Sequence, residues 1–374
     1  MSVFHRAMRI YLDNIVFSLQ KAGGISVYWY ELARRLQDQA DVYFIDSKNT
    51  VENLFGCQLN VSRERLYSDL PIPLAVNRYL PTTVRLPRQS LFHSSYYRVA
   101  WQPMVANVVT VHDFTYEFFR AGLPRLVNRL QKWFALVRAD GIICDSENTR
   151  KDMLTFYPAL RHKRQTVIHL GADSAFRPHK KKAAVQLHPE KYRHQPFVLF
   201  IGDRRPNYKN FKVAVMAVGL LKNYRLAIVG GNLLSPDEQR FVESHVGKRY
   251  EIYCAPNTEF LNDLYNGAFC LLYPSLYEGF GLPVLEALRS GCPVVTTNRS
   301  SIPEVIGNSG LVLNEVTPAS LANAVKGLEN PEVREKYIFS GFKQASRFSW
   351  HLCASETLKF YQQVHDDCFL RKRD

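Results

Sequence analysis

Two carboxylates and a pair of glycines gather in one short stretch, Pro274-Ser275-Leu276-Tyr277-Glu278-Gly279-Phe280-Gly281-Leu282-Pro283-Val284-Leu285-Glu286-Ala287. An apolar run that reads as a buried strand precedes it, and it leads into a helix that stops at Gly291-Cys292-Pro293. Pro283 falls early in that helix, where a missing N–H costs nothing. Gly279 and Gly281 let backbone N–H groups approach a ligand closely, and the positive end of the helix dipole favours negative charge there. Glu278 lies before the helix and Glu286 about one turn inside it, so the two carboxylates can meet different parts of one extended ligand. The plainer alternative is that Glu278 caps the helix and Glu286 faces solvent.

In this form the stretch resembles the E-x7-E signature of the family 4 retaining glycosyltransferases of the GT-B fold. The resemblance implies that Glu278 lies against a donor sugar and that Glu286 hydrogen-bonds the donor's ribose hydroxyls. It also implies that backbone amides of Gly279, Phe280, Gly281 and Leu282 bind the sugar and the diphosphate. Other segments match along nearly the whole chain. Gly202-Asp203-Arg204-Arg205-Pro206-Asn207-Tyr208-Lys209-Asn210 resembles the family's basic loop, whose lysine, here Lys209, binds the donor diphosphate with help from an arginine. The spacing departs from the family's by about one residue, so Arg204 and Arg205 compete for the arginine role, Arg204 being preferred. Cations suit that place because negative charge grows on a diphosphate leaving group in the transition state.

Gly23-Gly24 resembles the family's glycine loop, which brings backbone amides to the diphosphate from the first half of the chain. Val111-His112-Asp113 resembles a His-Asp pair at the end of a central strand, with His112 bordering the reacting sugar and Asp113 orienting or capping. Asp145-Ser146-Glu147-Asn148 and His169-Leu170-Gly171-Ala172-Asp173 match segments near the cleft and hinge and are read as mainly structural. Ser301-Ile302-Pro303-Glu304 has the form of a capping box that holds a helix beside the site. The nucleobase pocket is expected around Tyr253 to Leu261, with Ala255, Pro256, Asn257 and Thr258 all open as contacts.

Short apolar runs bounded by turn residues alternate with longer amphipathic stretches, the pattern of βα units and parallel sheets. The first series starts with Met8–Asp13, a loop ending at Gly23-Gly24 and a helix from about Ile25 to Leu36. It continues through Val42–Ile45, Leu91–His93, Val108–Val111 and Gly141–Cys144, and Val167–Leu170 closes it. A second series runs through Phe197–Gly202, Tyr224–Gly230, Ile252–Cys254, Cys270–Tyr273 and Pro293–Thr297. The reading is α/β of the GT-B kind: two Rossmann-like doubly wound domains facing across a cleft, with ligands at the carboxyl ends of the strands. The first, acceptor-side domain spans 1–178, a basic linker with Lys180-Lys181-Lys182 spans 179–195, and the nucleotide-sugar domain spans 196–349. A C-terminal helix within 350–374, patterned from about Cys353 to Val364, is expected to return to the first domain.

Composition bounds the rest. Hydrophobic content of 46% and charged content of 22% in 374 residues fit two folded domains and exclude a disordered chain. No apolar run reaches the roughly 18 residues that cross a bilayer, and the start lacks the pattern of a signal peptide. The seven Cys show neither a C-x-x-C pair nor a nearby H-x-x-x-H, so neither zinc nor a disulfide framework is indicated, and scattered thiols fit a reducing cytosol. Lys plus Arg number 48 against 34 Asp plus Glu, a net +14. Much of the excess lies in the first half, with Arg371-Lys372-Arg373 as a further cluster. Such a field attracts polyanions, anionic lipid head groups or phosphorylated substrates. Arg125, Arg129 and Lys132 fall at helical spacing beside Leu126, Leu130, Trp133 and Phe134. That suits either an amphipathic helix on a membrane surface or a solvated helix face. No nucleic-acid-binding signature accompanies the charge.

The function expected is a metal-independent, retaining hexosyltransferase without a cofactor, its donor a GDP-, UDP- or dTDP-sugar and mannose from GDP-mannose the leading choice. No D-x-D motif is present. The catalytic set is Glu278, His112, Lys209 and Arg204, and the donor-binding set Gly23, Gly24, Arg205, Gly279, Phe280, Gly281, Leu282 and Glu286, with no metal ligands. Basic charge and the aromatics Tyr96, Tyr97, Trp101, Tyr116, Phe118 and Phe119 suggest a lipid-diphosphate-linked or oligosaccharide acceptor. Surface-polysaccharide assembly, such as that of lipopolysaccharide, in the cytoplasm and at the inner membrane face fits this set. The rivals are an epimerase or phosphorylase of the same architecture and a non-catalytic nucleotide-sugar or polyanion-binding protein.

Overall fold

The computed structural model of the chain describes residues 8–47, 53–179 and 195–370. Lys180–Lys182, all but the two ends of the linker at 179–195, and Arg371–Arg373 lie outside the described residues. Two compact units emerge: one holds the chain up to Leu170 together with the residues from Trp350 onward, the other Gly171–Ser349. The boundary falls ahead of residue 178 because the intervening segment bonds into the second unit. Arg177 N donates to Asn262 Oδ1 (3.1 Å), and Arg289 Nε donates to Phe176 O (3.0 Å).

In the first unit seven strands pair throughout in parallel: β1 (Arg9–Asp13), β2 (Asp41–Asp46), β3 (Leu66–Ser68), β4 (Ser90–Ser94), β5 (Val105–Val111), β6 (Gly141–Cys144) and β7 (Gln165–Val167). Their order in the sheet is β3-β2-β1-β4-β5-β6-β7. The second unit orders β10-β9-β8-β11-β12-β13, from β8 (Phe197–Ile201), β9 (Arg225–Val229), β10 (Tyr250–Tyr253), β11 (Cys270–Tyr273), β12 (Val294–Thr297) and β13 (Leu311–Leu313). Central strands such as β5, β6, β9, β11 and β12 are buried at every position, as helix-covered parallel strands must be. The edge strands β3, β7, β10 and β13 have no fully buried residue. Two of these, β3 and β13, give no strand signal in the sequence, and β7 ends three residues before the expected Leu170.

Each sheet reverses its order once, between β1 and β4 and between β8 and β11. Such a switch point opens a crevice beyond the carboxyl ends of the two strands. The loops that leave β1, β8 and β11 are therefore the ones that carry Gly23-Gly24, Lys209 and Glu278. At the end of β1, Asp13 is fully buried and bound by the Arg98 guanidinium (3.1 Å) and by the Ser94 hydroxyl (2.8 Å). Arg98 also pairs with buried Asp69, so one cation balances two carboxylates and ties the loops after β1, β3 and β4 together.

A helix at Trp350–Phe369 completes the first unit. It buries Trp350, Cys353, Ala354, Thr357, Phe360, Tyr361 and Val364, a stripe at three- and four-residue spacing. Gly141 opens β6 beneath it, where a Cβ would lie 2.5 Å from Val364 and 2.9 Å from Phe360. Gly141→Ala is therefore expected to lift the helix and destabilise the protein by about 1–3 kcal/mol, read as a lower denaturant midpoint at unchanged slope.

Candidate functional site

In the second unit the basic loop after β8 and the strap after β11 are sewn together by backbone. Leu276 N donates to Tyr208 O (2.8 Å), and Asn210 Nδ2 donates to Pro274 O (2.9 Å). Asn210 holds a left-handed conformation (φ 53°), which brings the preceding Lys209 round before the helix Phe211–Gly219 begins. Lys209 Nζ then lies 2.7 and 2.8 Å from the two oxygens of Glu278. Tyr273, the last residue of β11, donates its hydroxyl to Glu278 Oε1 at 2.7 Å. Burial, and next the charge of Glu278, hold the Tyr273 phenol well above its ordinary range, so it stays a donor.

The strap is held from a third side. Glu278 N–H donates to Ser300 Oγ (2.9 Å), and Ser301 Oγ lies 2.9 and 3.0 Å from the carbonyl oxygens of Glu278 and Phe280. The capping box expected at Ser301–Glu304 does not form: Ser301 has helical backbone angles and gives no side-chain cap, because its hydroxyl is turned to the strap. Gly281 (φ 103°) closes the strap in a conformation that favours glycine, and the helix Leu282–Ser290 starts from it with Pro283 in its first turn. Glu278 therefore does not cap this helix, and Glu286 does not face open water. Tyr265 donates to Glu286 Oε2 (2.8 Å), and burial raises the Glu286 carboxyl to about 7 against that bond, with Asp173 adding a smaller push upward.

The two arginines of the basic loop part ways. The Arg204 side chain is largely covered, and its three nitrogens are turned to Glu238 Oε1 (3.2 Å), Gly230 O (2.5 Å) and Asn232 O (2.7 Å), so it braces the loop after β9. Arg205 is exposed and rests on Asp203 (2.7 Å). In the expected nucleobase region, Asn257 is occupied as the cap of the helix Thr258–Gly267, accepting from Phe260 N at 2.8 Å.

In the first unit Gly23-Gly24 meets the start of the helix Gly24–Leu36, whose Trp29 donates to Asn14 Oδ1 at the base of the same loop (2.7 Å). His112 follows β5 and sets Nδ1 against Asp145 Oδ2 at 2.7 Å, with the Tyr28 ring edge-on at 5.0 Å. Burial disfavours the imidazolium, but Asp145 and then Asp113 outweigh it and raise the His112 pKa. The bond fixes the tautomer with the proton on Nδ1, leaving Nε2 as the nitrogen turned away from Asp145. Asp113 accepts from Thr115 N (3.0 Å) and so shapes the turn. Beneath it, Lys132 is buried rather than set on the helix surface. Its ammonium bonds Asp113 O and Glu117 Oε2, both at 2.9 Å, and lies 4.2 Å from the Phe114 ring centroid.

Sequence reasoning thus named Lys209, Glu278, Glu286 and His112 but not the residues that hold them: Tyr273, Ser300, Tyr265 and, in that role, Asp145. A buried tyrosine one residue before the strap, at the end of a strand, is the signal that could have found Tyr273.

Two outcomes follow from the ionisations. Glu286→Gln removes a carboxyl whose cost to the fold builds as pH rises from the ordinary 4.5 to about 7 and is complete above that. The variant is expected to gain about 1–3 kcal/mol over wild type at pH 8 and little at pH 4.5, read by denaturant melts at both. Asp145→Asn is expected to lower the His112 pKa, followed by NMR titration of the imidazole. The stabilisation that comes with the raised His112 value is present below the ordinary histidine value of 6.5 and fades as pH rises through the raised one. Burial raises Asp145 as well, so the ion pair itself is lost when that carboxyl protonates at lower pH.

Comparison with known proteins bears on the same segments. The family described as glycosyl transferases group 1 matches residues 195–330, and glycosyltransferase family 4 matches residues 22–176. The O-antigen chain mannosyltransferase B of Escherichia coli is 36% identical over 178 residues, 45% of this chain and 46% of that enzyme. The chain therefore matches less than half the length of this curated relative. Among solved structures, sucrose-phosphate synthase of Thermosynechococcus elongatus superposes with a TM-score of 0.74 at 19% identity, covering 96% of this chain and 100% of that one. Anabaena HepE in complex with UDP-glucose superposes with a TM-score of 0.68 at 15% identity, covering 96% and 99%. At these identities the likeness is one of fold, and the fold is GT-B. With its two matched regions together spanning more than three quarters of its length, the chain belongs to the family 4 glycosyltransferases.

Proposed function

We propose that the protein transfers a hexose from a nucleotide-sugar to an acceptor hydroxyl with retention of anomeric configuration and without a metal ion. One observation carries the reading: Lys209, Glu278, Tyr273 and the start of the helix Leu282–Ser290 converge beyond the carboxyl ends of β8 and β11, with Glu286 a turn further on. Such a group fits a sugar diphosphate, in which a cation and a helix N-terminus meet the phosphates while carboxylates meet hydroxyls. In the free protein Glu278 is the counter-ion of Lys209. An arriving diphosphate competes for the lysine and releases the carboxylate to accept from sugar hydroxyls. Lys209, an arginine of the same loop and the helix dipole then carry the charge that grows as the glycosidic bond breaks. The departing phosphate oxygen takes the proton of the attacking hydroxyl on the same face, and His112 Nε2 meets a hydroxyl of the sugar or acceptor.

Mannose from GDP-mannose is the donor favoured, by analogy with the O-antigen mannosyltransferase, and the UDP-glucose held by HepE keeps UDP-sugars as the second choice. The acceptor proposed is a lipid-diphosphate-linked or oligosaccharide chain in surface-polysaccharide assembly at the cytoplasmic membrane face.

Thermal shift with GDP, UDP, dTDP and ADP is the test. A nucleotide that binds the native state at a hundred times its Kd adds about 2.7 kcal/mol of stability. One of the four is expected to raise the wild-type melting temperature and to lose that effect in Lys209→Ala. Transfer from the matching sugar donor is expected to survive chelator. No shift with any of the four would remove the donor site, and complete loss of turnover with chelator would remove metal independence.

A further inference from the structure

The helix Gly122–Arg138 of the first unit turns an apolar face to solvent. Leu123, Leu126, Leu130, Trp133 and Val137 are 71%, 52%, 54%, 48% and 41% exposed. Their spacing of three and four residues confines them to one band about 80° wide, so they are neighbours on the surface. The helix's opposite side, at Asn128, Lys132, Ala135 and Leu136, is the one that packs inward. Exposed Phe118 and Phe119 extend the band before the helix. At its far end exposed Trp101 stacks on Phe134, ring centroids 5.8 Å apart. An apolar groove of about 360 Å³, lined in part by Leu80, Val127, Leu130 and Phe134, runs alongside. A contiguous exposed patch of this kind marks an interaction surface on a soluble protein.

Charge decides its partner. From Phe114 to Ala139 the acidic side chain is Glu117, which is buried and spent on Lys132. Arg120, Arg125, Arg129 and Arg138 on the same segment have no ion-pair partner among the described residues, and Arg138 lies over the Trp101 ring at 5.3 Å. Arg129 and Arg138 fall on opposite borders of the apolar band. A second copy of the chain laid on this face would set arginine against arginine. Anionic head groups instead meet the four guanidinium groups while the leucines and tryptophans enter the head-group boundary, where tryptophan is favoured. The loss of Lys132 from the surface leaves this reading intact, because its place in the inward face is what aims the leucines outward.

We propose that the face made by Gly122–Arg138, with Phe118, Phe119 and Trp101, docks the first unit on an anionic lipid bilayer. It gives a surface to the membrane-side location in the function proposed above and rests on that reading. It needs no particular donor or acceptor.

The test is flotation of the full chain with vesicles of equimolar phosphatidylglycerol and phosphatidylcholine, against vesicles of phosphatidylcholine alone. Wild type is expected to float with the anionic vesicles only, less so as salt screens the arginines. Leu126→Glu with Leu130→Glu, and separately Arg125→Glu with Arg129→Glu, are expected to weaken binding about tenfold or more. Both pairs are exposed or half-exposed, and unchanged melting temperatures check their folding. Arg240→Glu with Lys343→Glu, the same charge change on the second unit, is expected to leave binding unchanged. Failure of wild type to float, or equal flotation of all three variants, overturns the docking face. So does self-association in the absence of vesicles that the leucine variant abolishes, since the face would then join copies of the chain. Flotation as expected without any nucleotide-induced thermal shift would leave the docking face standing and sink the transferase reading alone.

Discussion

Lys209 and Glu278 neutralise each other across the place where the second sheet reverses its strand order, and the arrangement around them follows from that pairing. A lysine and a carboxylate brought this far from water are tolerated only when each has a partner, and removing either would strand the other. The pair therefore demands that two loops from neighbouring strands arrive in register. Backbone bonds between Tyr208 and Leu276 and between Asn210 and Pro274 supply the register. Ser300 and Ser301 press the strap from the far side, and Tyr273 satisfies one more lone pair of the carboxylate. What results is a lysine and a carboxylate held in fixed positions by backbone and hydroxyl contacts from three sides.

The first unit solves the same problem differently. Asp13 and Asp69 share Arg98, Glu117 has Lys132, and Asp145 has His112. The first two sit below the loops as braces, each buried carboxylate held by a buried cation. The third contains an imidazole, so its charge is set by the carboxylates around it and responds to what approaches Nε2. Ion pairs thus brace the loops from beneath, while the pair at the end of β5 contains a group whose ionisation its neighbours shift.

Much of this was legible in the sequence because buried parallel strands are written as short apolar runs, and those runs fell on β1, β2, β4, β5, β6, β8, β9, β10, β11 and β12. The strands β3 and β13 were not legible, being three residues long, at sheet edges and only half-covered, so selection for apolar residues there is weak. Glu278, Glu286 and Lys209 stand out as candidates in the sequence because such candidates are recognised by residue type and local spacing. Their partners do not, since Tyr265 and Ser300 lie 21 and 22 residues away along the chain and only folding brings them in. Lys132 misled for a related reason. Helical spacing told which residues share a face but not which face is inward, and a buried ion pair overrode the usual exposure of lysine.

The first unit is discontinuous in sequence: its sheet comes from Arg9–Val167, and the helix whose Phe360 and Val364 cover Gly141 comes from Trp350–Phe369. A ribosome thus delivers the whole of β1 to β7 well before the helix that seals them, and in the interval delivers every residue of Gly171–Ser349. The later-made unit, being one uninterrupted segment, can close its core first, while the earlier-made one waits with an uncovered sheet face. Synthesis therefore leaves one face of the first sheet without its Trp350–Phe369 cover until that helix is made, and the apolar surface is open to other chains in the meantime.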